Sequence, residues 1–209
     1  MKSVMKWTLT FLIVLAGLPG LAQDAAPEGA MEGQGMPGMS EEQMEMMAAM
    51  QAAMTPGEPH EMLAESAGSW KLTFELWMAP GTEPMINEGT AERTMTLGGR
   101  VLEEKVSASM MGMPMEGLGR TGYNNVTDTW WSTWTDNMST GLVTMTGTWD
   151  AEKQEMVFEG EVPSPMDGEM RTMRIVSHHE GADKEIAEFF EPGPDGEMHR
   201  TMRIVYERQ

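Results

Sequence analysis

The stretch 167-DGEMRTMRIV-176 returns as 195-DGEMHRTMRIV-205, twenty-eight residues later and with one residue, His199, inserted. Each copy opens on an Asp-Gly pair, a turn signal, and continues as a run rich in residues that suit strands. Between the copies lies 184-KEIAEFFE-191, a third strand-like run. The connections are too short for a crossover helix, so neighbouring runs pair antiparallel and the two copies run in the same direction, one strand apart. The repeat therefore reads as successive hairpins of one sheet.

Working outward, the same alternation extends from residue 69 to residue 208. Ten runs are expected, over 69–78, 85–97, 100–110, 115–123, 129–136, 142–149, 154–162, 169–178, 184–191 and 197–208, separated by turn signals such as "APGTEP", "NNVTD", "HEGAD" and "PGPDG". A meander of ten strands with one apolar face is best closed on itself, because closure removes the exposed edges. The fold class is thus mainly β, an antiparallel up-and-down β-barrel of about ten strands, with a β-sandwich as the runner-up. Ahead of the strands, Ser40 and Gln43 form a capping box for a helix over 41–54. Met47, Met50 and Met54 fall on one stripe of it, and the stripe is expected to cover an open end of the barrel as a lid. Thr55-Pro56-Gly57 stops this helix, and a second is expected over 58–67.

The N-terminal segment reads as a signal for export. Lys2 and Lys6 precede the apolar run "WTLTFLIVLAGL", and small residues follow up to Ala22. Residues 1–22 are therefore expected to be a signal peptide, residues 23–39 a disordered Met/Gly/Pro-rich linker, and residues 40–209 one barrel domain, exported to the periplasm or secreted. No later run is long enough to span a membrane. The chain has no cysteine, so its core must hold it together without disulfides. Its formal charge is −19, and loss of the two lysines with residues 1–22 makes it −21, which argues against nucleic acid and anionic lipid as partners.

Four stretches, 55-TPGEPHEMLAESAGSW-70, 110-MMGMPMEGLGRTGYNN-125, 131-WSTWTDNMSTGLV-143 and 189-FFEPGPDGE-197, together resemble the bacterial family called domain of unknown function 1579. The resemblance covers about Ser40 to the end. It implies a calycin-like barrel, similar to the lipocalins and nitrobindins, and no established activity. Gly68-Ser69-Trp70 resembles the G-x-W that opens the first strand of such barrels. The resemblance implies that Trp70 plugs the closed end with an arginine of the last strand stacked on it, Arg208 first and Arg203 second.

No nucleophile motif, zinc motif or phosphate-binding glycine loop is present, so a non-catalytic role is expected, with an enzyme acting on a bound small molecule as an alternative that no motif supports. The methionines offer soft thioether ligands, above all Met110, Met111, Met113 and Met115, with His60, His178, His179 and His199 as imidazoles. Copper handling is the alternative they support, against packing as the ordinary role of methionine. Haem enters only through the likeness to nitrobindins, with His199 as the C-terminal candidate. The expected reading carries no cofactor. Alternation puts Trp130 and Trp134 on one face of their strand and Trp131 on the other. In the repeat it puts Arg171, Met173 and Ile175 on one face and Arg200, Met202, Ile204 and Tyr206 on one face, both inward. Two inward guanidiniums at one mouth need carboxylates from Glu185, Glu188 or Glu191, or an anionic ligand. The expectation is therefore a non-catalytic barrel holding a small apolar or amphipathic molecule against Arg171, Arg200, Met173, Met202, Tyr206, Trp130 and Trp134. The sorting of faces reverses wherever a bulge intervenes. A direct check on the first segment is the N-terminus of the exported protein: sequencing should start at Gln23, and a product retaining Met1 would remove the signal peptide from the reading.

Overall fold

The computed structural model describes residues 39–164, 167–193 and 195–209. The expected signal peptide, and the expected linker up to residue 38, lie outside the described residues. Two helices, α1 (Glu41–Met54) and α2 (Glu58–Glu65), precede ten strands: β1 (Gly68–Leu76), β2 (Met85–Thr96), β3 (Val101–Met110), β4 (Met113–Asn124), β5 (Thr129–Asp136), β6 (Val143–Asp150), β7 (Glu155–Pro163), β8 (Met170–His179), β9 (Lys184–Pro192) and β10 (Met198–Arg208). Each strand pairs antiparallel with the next, and β1 pairs with β10 to close the barrel. Among the described residues no helix is long and apolar enough to cross a membrane.

Closure rests on a register in which Trp70 faces Arg208, Leu72 faces Tyr206 and Phe74 faces Ile204 across the β1–β10 seam. Trp70, Leu72, Phe74, Ile204 and Tyr206 make one buried cluster with Ala91, Val106, Met115 and Ala187. A second, around Leu102, Trp130, Met145, Phe158 and Val162, takes Leu63 from α2 as a member. Large rings on the inner wall need small partners beside them. A Cβ on Gly117 would lie 2.2 Å from the Trp134 ring, so only glycine lets that ring lie flat across β4.

Helix α2 ends sooner than the expected 67. The reason lies in its last carbonyls, which the barrel takes up. Arg208 donates through Nη2 to Glu65 O and through Nη1 to Ala67 O, both at 2.8 Å, and Trp70 Nε1 donates to Ser66 O at 3.0 Å. Gly68 then enters β1 at φ 138°, a backbone conformation that glycine accepts readily. At the other end of α2, the Gly57 N–H donates to His60 Nδ1 at 3.1 Å, so this buried histidine serves as a cap.

The lid expected from α1 is not there. No residue of α1 is buried, and Met47, Met50 and Met54 are exposed. Met44 and Met46 fall on the same side as the stripe, but glutamines share that side and alanines lie opposite it, so the helix has little contrast between its faces and no distinct one to bury. It is fastened by its C-terminal carbonyls instead. Arg100 donates to Met54 O, and Asn125 Nδ2 donates to Ala52 O at 3.0 Å and to Thr55 O at 2.7 Å. Helix α2 is the element that packs on the barrel, against β2, β3 and β4.

Trp70 is fully buried, with the Arg208 guanidinium 4.3 Å from its ring centroid. Trp70→Ala is expected to cost about 3–5 kcal/mol of unfolding free energy, as a large-to-small core change, read by urea denaturation of the whole chain. A loss under about 1 kcal/mol would show that the seam is held elsewhere.

Candidate functional site

The barrel encloses a cavity of about 1650 Å³. Its wall is made by alternate residues of the strands, including Phe74, Trp130, Trp134, Phe158 and Phe189 with Met145, Met173 and Met202 between them. At one end α2 lays Met62 and Leu63 against it, with Ser66 just past its end. At the other end the β1–β2, β3–β4, β5–β6, β7–β8 and β9–β10 connections meet. Exposed apolar side chains collect there: Met78, Met85, Ile86, Met111, Met113, Met138, Leu142, Met170 and Met198. The collar is built largely of methionine, which adapts its shape at little cost. Met111 sits at φ 51° beside Gly112 at φ 79°, a tight hairpin turn, and its N–H donates to Asn87 Oδ1 at 2.9 Å.

A charged cluster stands inside, near the α2 end. Arg93 of β2 is buried between Glu104 of β3 and Glu185 of β9. Its Nε donates to Glu104 Oε1 at 2.7 Å and its Nη1 to Glu185 Oε2. The guanidinium lies 4.2 Å from the Tyr206 ring and 5.5 Å from the Trp70 ring. Burial works against its charge, but the two carboxylates outweigh that and hold it firmly protonated. Tyr206 is pushed well above the ordinary phenol range by burial and then by the Glu104 charge. It therefore remains a neutral hydroxyl at any physiological pH. A lone guanidinium here would be costly; paired with two carboxylates, the cluster carries one excess negative charge.

One arrangement resembles a nucleophile and base. Ser66 Oγ lies 3.3 Å from His179 Nε2, and Glu185 Oε2 lies 3.9 Å from the same atom. A relay needs serine and carboxylate on opposite ring nitrogens, with the acid orienting the base through the far one. Both contacts here use Nε2, so the trio does not have that geometry.

The expected ligand residues separate into two groups. Trp130, Trp134, Met173, Met202 and Tyr206 line the cavity. The two arginines do not. Arg171 pairs in register with Val162 but stands at the rim, half-exposed, with Nη2 bound to Asp167 Oδ2 at 2.6 Å. Arg200 faces outward, because the β9–β10 register shifts between Arg200 and Met202. It ion-pairs with Glu188 on the outer face and lies 4.4 Å from the Trp77 ring. The pairing expected from Glu185, Glu188 or Glu191 is thus divided: Glu188 takes Arg200, and Glu185 takes Arg93, a residue that the sequence reading did not single out. A charged residue at the middle of the inner face on each of two adjacent strands, Arg93 and Glu104, was the signal available for it.

Of the methionines in the alternative metal set, Met110, Met111 and Met115 line the cavity near the β3–β4 hairpin, and Met113 lies exposed opposite Met110. His199 is absent from the cavity wall and sits 2.9 Å from both Asp195 oxygens. His60 packs edge-on to Tyr123, with ring centroids 6.1 Å apart. Among the described residues no group of three His, Cys, Asp or Glu side chains is placed to hold a metal ion.

No curated protein matches the chain. The crystal structure of Rv2717c from M. tuberculosis is similar at a TM-score of 0.54 and 13% identity, over 74% of this chain and 99% of that one, a likeness of fold alone. A redesigned β-barrel is similar at a TM-score of 0.38 and 11% identity, over 70% of this chain and 94% of that one, too slight to build on. Residues 55–208, from the turn before α2 to the arginine over Trp70, match the family described as protein of unknown function DUF1579, and the chain belongs to that family.

Proposed function

We propose that the protein binds a small apolar or amphipathic molecule inside its barrel, outside the cytoplasm. The observation that carries the reading is the cavity itself. A barrel can fill itself with side chains, and this one leaves about 1650 Å³ between its aromatic and methionine walls, more than a drug-sized ligand needs. The apolar collar at the end away from α2 supports passage of such a molecule, because its side chains can part and close again. Residues 1–22, with their basic start and apolar run, support a role in the periplasm or beyond the cell. Glu104 and Glu185, two of the carboxylates on the cavity wall, are both engaged by Arg93, an arrangement that suits holding a molecule better than transforming one.

Nile red, which is neutral and brightens in apolar surroundings, is the probe. It should bind the whole chain with a blue-shifted emission and be displaced by dodecanol. Met173→Trp, which fills part of the cavity, should weaken both about tenfold or more, since a ring there takes ligand volume. Binding that is unchanged in Met173→Trp would mean that the dye sits on the exposed collar, and the reading would fall.

A further inference from the structure

The inner charge of the cavity points to the chemistry of what it would hold. We infer that the ligand class is a cationic amphiphile, an apolar chain or ring system carrying a protonated amine, with its ammonium seated between Glu104 and the Trp134 ring. This deepens the reading of the cavity as a binding site and rests on it.

Three observations carry it. The first is the balance of charge on the wall. Five carboxylates line the cavity against two guanidiniums, Arg93 and Arg208, and Arg208 is committed to the α2 end through three backbone carbonyls. A carboxylate ligand would meet an excess of its own sign; an amine would meet the opposite sign. The second is what Arg93 leaves over. It bonds one oxygen of each carboxylate, Glu104 Oε1 and Glu185 Oε2. Among the described residues the other oxygens, Glu104 Oε2 and Glu185 Oε1, accept no hydrogen bond, and both residues face the cavity. One guanidinium therefore serves two carboxylates; Glu185 also has His179 Nε2 at 3.9 Å, while among the described residues Glu104 has no basic partner besides Arg93.

The third is a place for that charge. Arg93, Glu104, Gly119 and Trp134 stand in one row across β2, β3, β4 and β5, all on the inner face. Gly119 leaves the middle of the row without a side chain. The position that a Cβ would occupy there is 3.3 Å from the Trp134 ring and 3.5 Å from Glu104 Oε2. A group beside Gly119 thus has an indole on one side and an unshared carboxylate oxygen on the other. An ammonium is served by both, through a charge-assisted hydrogen bond and through cation–π attraction. The chain behind it would lie along Trp130, Met145 and Met173. Thr121 and Ser132, cross-strand neighbours one step along the same wall, offer hydroxyls to the remaining ammonium protons.

The test compares dodecylamine, dodecanol and dodecanoate, which share a chain and differ in the head group. Each is measured by displacement of Nile red from the whole chain at fixed ionic strength near pH 7. The amine should bind at least about tenfold tighter than the alcohol, and the carboxylate weakest, since one good ion contact in a shielded site is a factor of that order. Glu104→Gln should bring amine and alcohol to parity. Gly119→Ala keeps every charge and places a methyl group in the proposed seat. It should lower the preference for the amine similarly, read as the ratio of amine to alcohol affinity, so the result stands even if Glu104→Gln folds poorly. An amine no tighter than the alcohol in the wild type overturns the cationic inference and leaves the cavity reading intact. So does a preference that survives both substitutions, which would belong to the acidic surface. If none of the three displaces the dye, the cavity reading and this inference fall together.

Discussion

Trp70 lies between two guanidiniums, and most of the α2 end of the molecule is arranged around it. Arg208 stands 4.3 Å from its ring centroid and Arg93 stands 5.5 Å from it. Through Arg208 the ring is tied to the end of α2, by Glu65 O and Ala67 O, and to the β8–β9 turn, by Ala182 O. Its own Nε1–H takes Ser66 O. One indole thereby connects the first strand, the last strand, the closing helix and a turn on the far side of the seam. Shielded cation–π contacts are worth up to about 2 kcal/mol each. The larger effect is that the carbonyls of Glu65, Ser66 and Ala67, where α2 ends, are each taken up by a side chain of the barrel. The seam between β1 and β10 joins the strands most distant in sequence, so the clamp holds where closure costs most entropy.

The second guanidinium has consequences inside the barrel. Arg93 can be buried against Trp70 and Tyr206 only if carboxylates come with it, and Glu104 and Glu185 are brought from β3 and β9 for that purpose. Their presence puts two carboxylates on the cavity wall near the α2 end, where the strands otherwise contribute many aromatic and methionine side chains. The two ends of the barrel differ accordingly. At the α2 end, backbone carbonyls and ion pairs fix every element in place. At the other, methionines of five connections stand exposed around the opening.

Much of this was legible in the sequence because strand alternation and turn chemistry are local signals. Ten runs between Asp-Gly, Pro-Gly and Asn-rich turns could pair only with their neighbours, and the barrel follows from that. Trp130 and Trp134 fall on the inner face because β5 is regular throughout. What was not legible is non-local. Nothing within β2 announces that Arg93 meets Glu185, 92 residues away, and buried charge is uncommon enough to be passed over. The Met stripe of α1 reads in the sequence as a face in search of a partner. Its stripe is one of several methionine positions on that helix, and its anchor is a pair of side chains, Arg100 and Asn125, reaching for its last carbonyls.

The repeat shows most sharply where a period-two argument ends. The two copies agree from the second methionine onward: Met173 and Met202 both line the cavity, Ile175 and Ile204 follow them inward, and Arg174 and Arg203 pair with glutamates on adjacent strands. They part just before it. The second copy has one more residue between its Asp-Gly turn and that methionine, His199, and β10 has one irregularity against β9, between Arg200 and Met202. An extra residue in a strand whose two ends must keep their register has to be absorbed as a bulge. The bulge preserves the inward set from Met202 to Tyr206 and turns everything before it over. Arg200 thus moves to the outer face, onto Glu188 and Trp77, while its counterpart Arg171 stays at the rim with Asp167. A single inserted histidine accounts for why Arg200 is turned to the face opposite the one its counterpart Arg171 keeps, so two nearly identical strands do not bring two arginines into one site.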